Sequence, residues 1–139
     1  MPLTPRPCHD LSVEELATLD DRLYAFNASA IGRDDAQPVA FTVADEAGEI
    51  IAAATGHSWA GTAELKLLWV AQTCRGQGLG TALLEAFIDE ARLRAARRIW
   101  VSSHGFQAPA LYERAGFIRM ATFADWPEGH TNIVLCKTL

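Results

Sequence analysis

Apolar residues recur along this chain in two rhythms. Between Leu11 and about Ala30, Leu16, Leu19 and Leu23 return at intervals of three and four, the spacing of one helix face. Ser12 and Glu15 precede that stripe at capping-box spacing, and Leu11 with Leu16 is placed for a hydrophobic staple, so the pattern predicts a first helix. After the polar loop "IGRDDAQP" the rhythm shortens. "VAFTVAD" and "EIIAAATGHSW" read as strands around the turn "EAGE", and "AELKLLWV" reads as a third strand after "AGT". Such short separations predict an antiparallel meander.

The helical rhythm then returns. Leu79, Leu83, Phe87, Ala91 and Ala95 fall on one face, widened by Leu84 and Ile88, which predicts a long helix over "TALLEAFIDEARLRAARR". "RIWVSS" follows as a strand, and a strand–helix–strand passage of this length implies a right-handed crossover and a parallel pair. "QAPALYERAG" reads as a short helix closed by Gly116, and "FIRMATFA" and "TNIVLCKTL" as strands around "DWPEGH". The expected architecture is α+β (α/β mixed): one mixed sheet with flanking helices, in a single domain over residues 1–139. No repeat or interdomain linker interrupts it.

Composition narrows the function. At 139 residues the chain is long enough for a core without disulfides or metal. Cys8, Cys74 and Cys136 are odd in number and widely spaced, and "MPLTPRPCHD" lacks a secretion signal's apolar stretch, which together suit reduced thiols in a cytoplasm. No apolar run approaches the roughly 18 residues of a membrane span. A net charge of −5 argues against nucleic-acid binding and mildly favours a cationic acceptor. His9, His57 and His130 show no metal-ligand spacing, so no metal is expected.

The segment "RGQGLG", Arg75 to Gly80, puts glycines at alternate positions between a strand and a helix. Each costs about 0.5–1 kcal/mol of helix stability relative to Ala. A P-loop would need GxxxxGK[ST], and no Lys follows. A dinucleotide fold would want Gly at 81, where Thr stands, and an acid near the apolar Ile99–Trp100. Two readings remain: a tight strand-to-helix turn, or a loop whose bare amides and helix dipole receive phosphate oxygens.

The neighbouring residues bear on that choice. Val70, then "RGQGLG", then "TALL" resembles the acyl-CoA signature of the GNAT superfamily of N-acyltransferases, and "ALYERAGF", Ala110 to Phe117, resembles that family's later motif. The resemblance covers Ala63 to Phe117 well and the remaining strand order loosely. "FQAPALY", "WPEGH" and the terminal "KTL" are similar to a group of small bacterial members whose acceptors are mostly unassigned.

The resemblance implies a sheet of six to seven strands, mostly antiparallel, with a splayed parallel pair in the middle and three to four flanking helices. It implies acetyl-CoA as co-substrate and a primary amine of a small molecule or peptide as acceptor. Pantetheine would pair with the backbone of Leu68, Trp69 and Val70. The pyrophosphate would rest on Arg75, Gly76, Gln77, Gly78, Leu79 and Gly80, with Thr81 at the helix start. Tyr112 matches the tyrosine beside the thioester sulfur, where it would act as general acid; the alternative is a core aromatic. Glu64 matches a frequent position of the base, the alternatives being His104, a water, or a solvated strand-end charge. Cys74, beside the loop, suits packing better than a nucleophile's role, because the superfamily transfers the acetyl group directly in a ternary complex. Trp59, Trp69, Phe106 and Trp126 are candidate acceptor walls or ordinary packing, and "DWPEGH" a lip or a plain turn. Dimers are common in the family, which leaves pairing of two chains open. A non-catalytic CoA-binding regulatory domain of the same fold is the competing function.

The chain departs from the family pattern at three places. Gln72 stands where many members carry Pro, "SSHG" stands where Asn or Thr often contacts the cofactor, and the usual first strand would have to come from the proline-bearing "LTPRPC".

Overall fold

The computed structural model describes residues 3–139. The chain divides after Asp34 into two compact units. The first contains helix α1 (Val13–Ile31). Ser12 caps it: its hydroxyl accepts from the Glu15 amide at 3.0 Å, and the Glu15 carboxylate accepts from the Ser12 amide at 3.3 Å. Gly32, at φ +69°, closes the other end in the left-handed region that favours glycine. No strand forms over Leu3–Cys8. Pro5 and Pro7 carry no amide hydrogen for a ladder there.

The second unit is built on a sheet of β1 (Gln37–Ala44), β2 (Ile50–Trp59), β3 (Thr62–Val70), β4 (Arg98–His104), β5 (Ile118–Ala124) and β6 (Thr131–Thr138). The spatial order is β1-β2-β3-β4-β6-β5. β1, β2 and β3 form the antiparallel meander. In its first turn the Asp45 carboxylate accepts from the amides of Ala47 and Glu49, each at 2.9 Å. Helix α2 (Leu79–Leu93) crosses over and returns the chain as β4, parallel to β3. Helix α3 (Pro109–Arg114) leads into the closing antiparallel pair.

α2 is shorter than its periodicity predicts. Ala95 takes φ +59°, outside the helix, and the chain turns there with the Ala96 amide on the Ala91 carbonyl at 2.9 Å. A helix stop of this kind usually carries glycine. Alanine in that place left no visible signal. The Arg94 side chain fastens the helix end, with Nε on Glu90 at 2.9 Å and Nη1 on the Pro38 carbonyl at 3.0 Å.

Alternation assigns each strand's faces. Leu83, Leu84, Phe87, Ile88 and Ala91 of α2 are buried in one core with Ala52 and Ala54 of β2, Ala63 and Leu65 of β3, Ile99 and Val101 of β4, and Ile133 and Leu135 of β6. The intervening residues, His57, Glu64 and Trp100 among them, therefore stand on the opposite face. Among the described residues no helix is long and apolar enough to cross a membrane.

Candidate active site

β3 and β4 part company in the middle of the sheet. Their pairing runs only from Thr62↔Arg98 to Leu65↔Val101, although β3 continues to Val70 and β4 to His104. Beyond that point β3 stays with β2, and β4 with β6. A bulge in the β2–β3 ladder marks the divergence. Gly56 pairs with Leu65 and Thr55 with Leu67, so Lys66 is the extra residue. A methyl group on Gly56 would run into the backbone carbonyl of Glu64, so only glycine lets the two strands approach this closely there.

The parting opens a cleft of about 920 Å³. One wall is the free edge of β3, including Leu68, Trp69 and Val70. Each unpaired residue there presents an amide or carbonyl with no strand partner on that side. Arg75, Gly76 and Gly78 line the end where β3 gives way to α2, with Leu79, Gly80 and Thr81 of its first turn. Gln77, between these glycines, does not line the cleft. Val101, Ser102 and Ser103 of β4, then Phe106 and Gln107, form the other wall, closed by Leu111 and Tyr112 of α3.

The glycines of the loop have different reasons for being there. Gly76 and Gly78 adopt φ +79° and +81°, and nothing lies within 4 Å of where a Cβ would sit on either. Left-handed backbone thus requires them, and the space above them is open. Gly78 is the N-cap of α2 and supplies no side-chain acceptor, so the first amides of the helix keep their capacity to donate. Gly80 differs: a methyl there would meet Leu111 and Val70 only at ordinary contact distance, 3.6 and 3.8 Å. The Arg75 Nε donates to the Val70 carbonyl at 3.1 Å, tying the loop to the end of the free edge.

Tyr112 is 6% exposed and packs its ring against Phe117 at 5.6 Å between centroids. Burial pushes its phenol up to about 12, because the phenolate loses its water. Glu64 is not among the lining residues. It stands on the sheet face away from α2, opposite His57 on β2, with 3.8 Å between the His57 Nε2 and its Oε2. Cys74 lines the cleft, and all three cysteines are free. Among the described residues no group of three or more His, Cys, Asp or Glu side chains is placed to hold a metal.

Two features of this site escaped the sequence reading. The isolated Gly56 inside an apolar strand was the available signal for a bulge. Gln107 is the other: its Oε1 accepts from the His104 amide at 2.7 Å and so shapes the wall beyond β4. Only its place after a strand end hinted at it.

Comparison with known proteins places this geometry in a wider set. The model of the Acetyltransferase (GNAT) family matches residues 6–117. The acetyltransferase Atu2258 of Agrobacterium fabrum is 27% identical over 111 residues, 80% of this chain and 81% of that protein. The blasticidin-S acetyltransferase of Streptomyces morookaense is 35% identical over 99 residues, 68% of this chain and 70% of that one. A crystal structure of a protein from Agrobacterium tumefaciens superposes with a TM-score of 0.86 at 25% identity, covering 100% of both chains.

Proposed function

The chain belongs to the acetyltransferase (GNAT) family, and from that premise we propose that it moves an acetyl group from acetyl-CoA to a primary amine of a small molecule or peptide, by direct attack in a ternary complex. The proposal takes residues 1–139 as one catalytic domain. One observation carries it: a free strand edge, a loop of open amides at a helix start, and a buried tyrosine line a single cleft. These suit the three parts of the donor. An extended pantetheine arm carries amides that pair as a strand would along Leu68, Trp69 and Val70. A diphosphate needs several N–H donors and no Cβ in the way, which Gly76 and Gly78 supply. The Arg75 guanidinium, with Nη atoms beyond its Nε bond to Val70, adds positive charge beside them.

Attack of the amine on the thioester carbonyl forms the amide bond and breaks the carbon–sulfur bond, leaving a thiolate. A thiol of ordinary acidity, pKa ~8.5, lies so far below a phenol at about 12 that full proton transfer from Tyr112 is uphill by about 5 kcal/mol. Tyr112 therefore acts chiefly by holding its O–H on the developing thiolate, with protonation completed late. Burial makes that hydrogen bond stronger than it would be in water. The amine must lose a proton, which passes to Glu64 or to a water. Because Glu64 lies outside the lining and beside His57, a chain of waters rather than direct contact would carry the proton to it.

Calorimetric titration with acetyl-CoA, followed by a thiol-release assay over a panel of primary amines, tests the reading. Saturable binding with amine-dependent thiol release is expected. A flat titration from folded protein overturns it. Binding without thiol release on any amine favours the CoA-binding regulatory domain.

A further inference from the structure

The sheet face away from α2 carries a row of three side chains beside the cleft. His104 of β4 pairs in register with Asn132 of β6, and Asn132 with Phe123 of β5. Side chains directly opposite in this way have Cβ atoms about 4.5–5.5 Å apart. Among the described residues, the Asn132 Oδ1 is buried without a hydrogen-bond partner. An orphaned buried acceptor costs about 1–3 kcal/mol, so its presence calls for a donor from outside the chain.

His104 adds a second acceptor. Its Nδ1 lies 3.1 Å from the Trp126 carbonyl oxygen. A carbonyl only accepts, so a ring hydrogen sits on Nδ1, and with the imidazole in its neutral form Nε2 keeps a lone pair. Aromatic rings surround the pair. His104 stacks on Phe106 at 5.1 Å, Phe106 meets His130 edge-on at 5.2 Å, and Phe123 lies 6.3 Å from Trp126. Phe106 and Trp126 are about 60% exposed, at 60% and 61%, and Phe106 also lines the cleft. The turn between β5 and β6 that presents Trp126 is held by its own bonds, with the Gly129 amide on Asp125 at 3.1 Å and the His130 amide on the Pro127 carbonyl at 2.8 Å. From Met120 to Cys136 the chain has two carboxylates, Asp125 and Glu128, and no Lys or Arg.

We propose that the Asn132 Oδ1 and the His104 Nε2, framed by Phe106, Phe123 and Trp126, form the seat of the acceptor's ammonium group, and that the acceptor is a primary amine carried on a flat or apolar body. The inference rests on the acetyltransferase reading above and specifies its second substrate. Two acceptors match two hydrogens of an ammonium group. Ring faces attract its charge, and between Met120 and Cys136 the carboxylates of Asp125 and Glu128 favour it, with no Lys or Arg in that segment. A carboxylate or phosphate would meet two acceptors and no donor among these atoms. Seated there, the amine stands next to the wall at Phe106.

Phenethylamine serves as the probe, with thiol release as the rate and acetyl-CoA affinity measured separately by calorimetry. Three proteins are compared: wild type, Asn132→Leu and Asn132→Asp. Asn132→Leu removes the orphaned oxygen, so its melting temperature should hold or rise while the KM for phenethylamine rises at least tenfold. Its kcat should stay within threefold and its acetyl-CoA Kd should not move. Asn132→Asp keeps an oxygen in place and should leave KM at or below the wild-type value. Phenylethanol, which lacks the charge, should not compete. An unchanged KM in Asn132→Leu, equal losses in both variants, effective competition by phenylethanol, or wild-type protein that binds acetyl-CoA yet never acetylates phenethylamine would each overturn the seat. Failure to bind acetyl-CoA at all would instead bring down the acetyltransferase reading, and the seat with it.

Discussion

Gly56 lies against the backbone carbonyl of Glu64 with no room for a side chain between them. The contact sits where the β2–β3 ladder slips by one residue and β3 turns away from β4. The cleft thus depends on a glycine that does not line it. Replacing it with alanine forces two backbones apart. We expect Gly56→Ala to destabilise the fold by about 1–3 kcal/mol, by the cost of overpacking, and to weaken acetyl-CoA binding beyond what that loss explains. Denaturant midpoints and calorimetry on the same sample check it; wild-type affinity in a destabilised variant would separate the bulge from the cleft.

Gly78 makes a different demand, of backbone rather than space. At φ +81°, a β-branched residue is strained by about 1–3 kcal/mol whatever surrounds it. Gly48 provides the comparison: it has φ +82° in the β1–β2 turn and equally open space. Gly78→Val and Gly48→Val should lose similar stability. Only Gly78→Val should raise the acetyl-CoA Kd, by tenfold or more, because only there does the side chain stand over the proposed phosphate cradle. Equal affinities in the two variants would remove the cradle.

Tyr112→Phe should lower kcat by about ten- to a hundredfold while leaving acetyl-CoA affinity within twofold. Alkaline stability offers a second readout. The folded phenol holds its proton up to about 12, whereas the unfolded one releases it near 10. Between those values the folded state binds more protons, so stability falls as pH rises through that window. The wild type should lose up to about 3 kcal/mol there relative to Tyr112→Phe. Parallel curves for the two proteins would mean that Tyr112 is not held neutral by burial.

Glu64→Gln tests the base without changing shape. If the carboxylate receives the amine's proton through water, the variant should lose the acidic limb of its kcat/KM profile, with kcat down at least tenfold. His57→Asn, which removes only the neighbour at 3.8 Å, should leave most of the rate. An unmoved profile in Glu64→Gln would assign the proton to another acceptor.

Local rules made most of the elements legible. Ser12 and Glu15 predicted the start of α1 through bonds between residues three apart, and alternation in β1 to β3 predicted the meander. The same rules failed at Ala95, where the helix stop is made by an alanine in a glycine's conformation. The paired motifs around Arg75–Gly80 and Tyr112 marked the segments that meet in the cleft. They did not reveal that Gln77 is absent from its lining or that Glu64 stands on the far face beside His57.

By itself the order of residues determined the strands and helices, their sequence along the chain, and which glycines stand at a helix start, because each of these depends on neighbours a few positions away. The tertiary structure alone decided where β3 leaves β4, which glycine allows it, and that Asn132, His104 and Phe123 share a row. Those facts depend on register between strands far apart in the chain. Register is settled by the packing of the whole sheet against α2, which no short window of sequence contains.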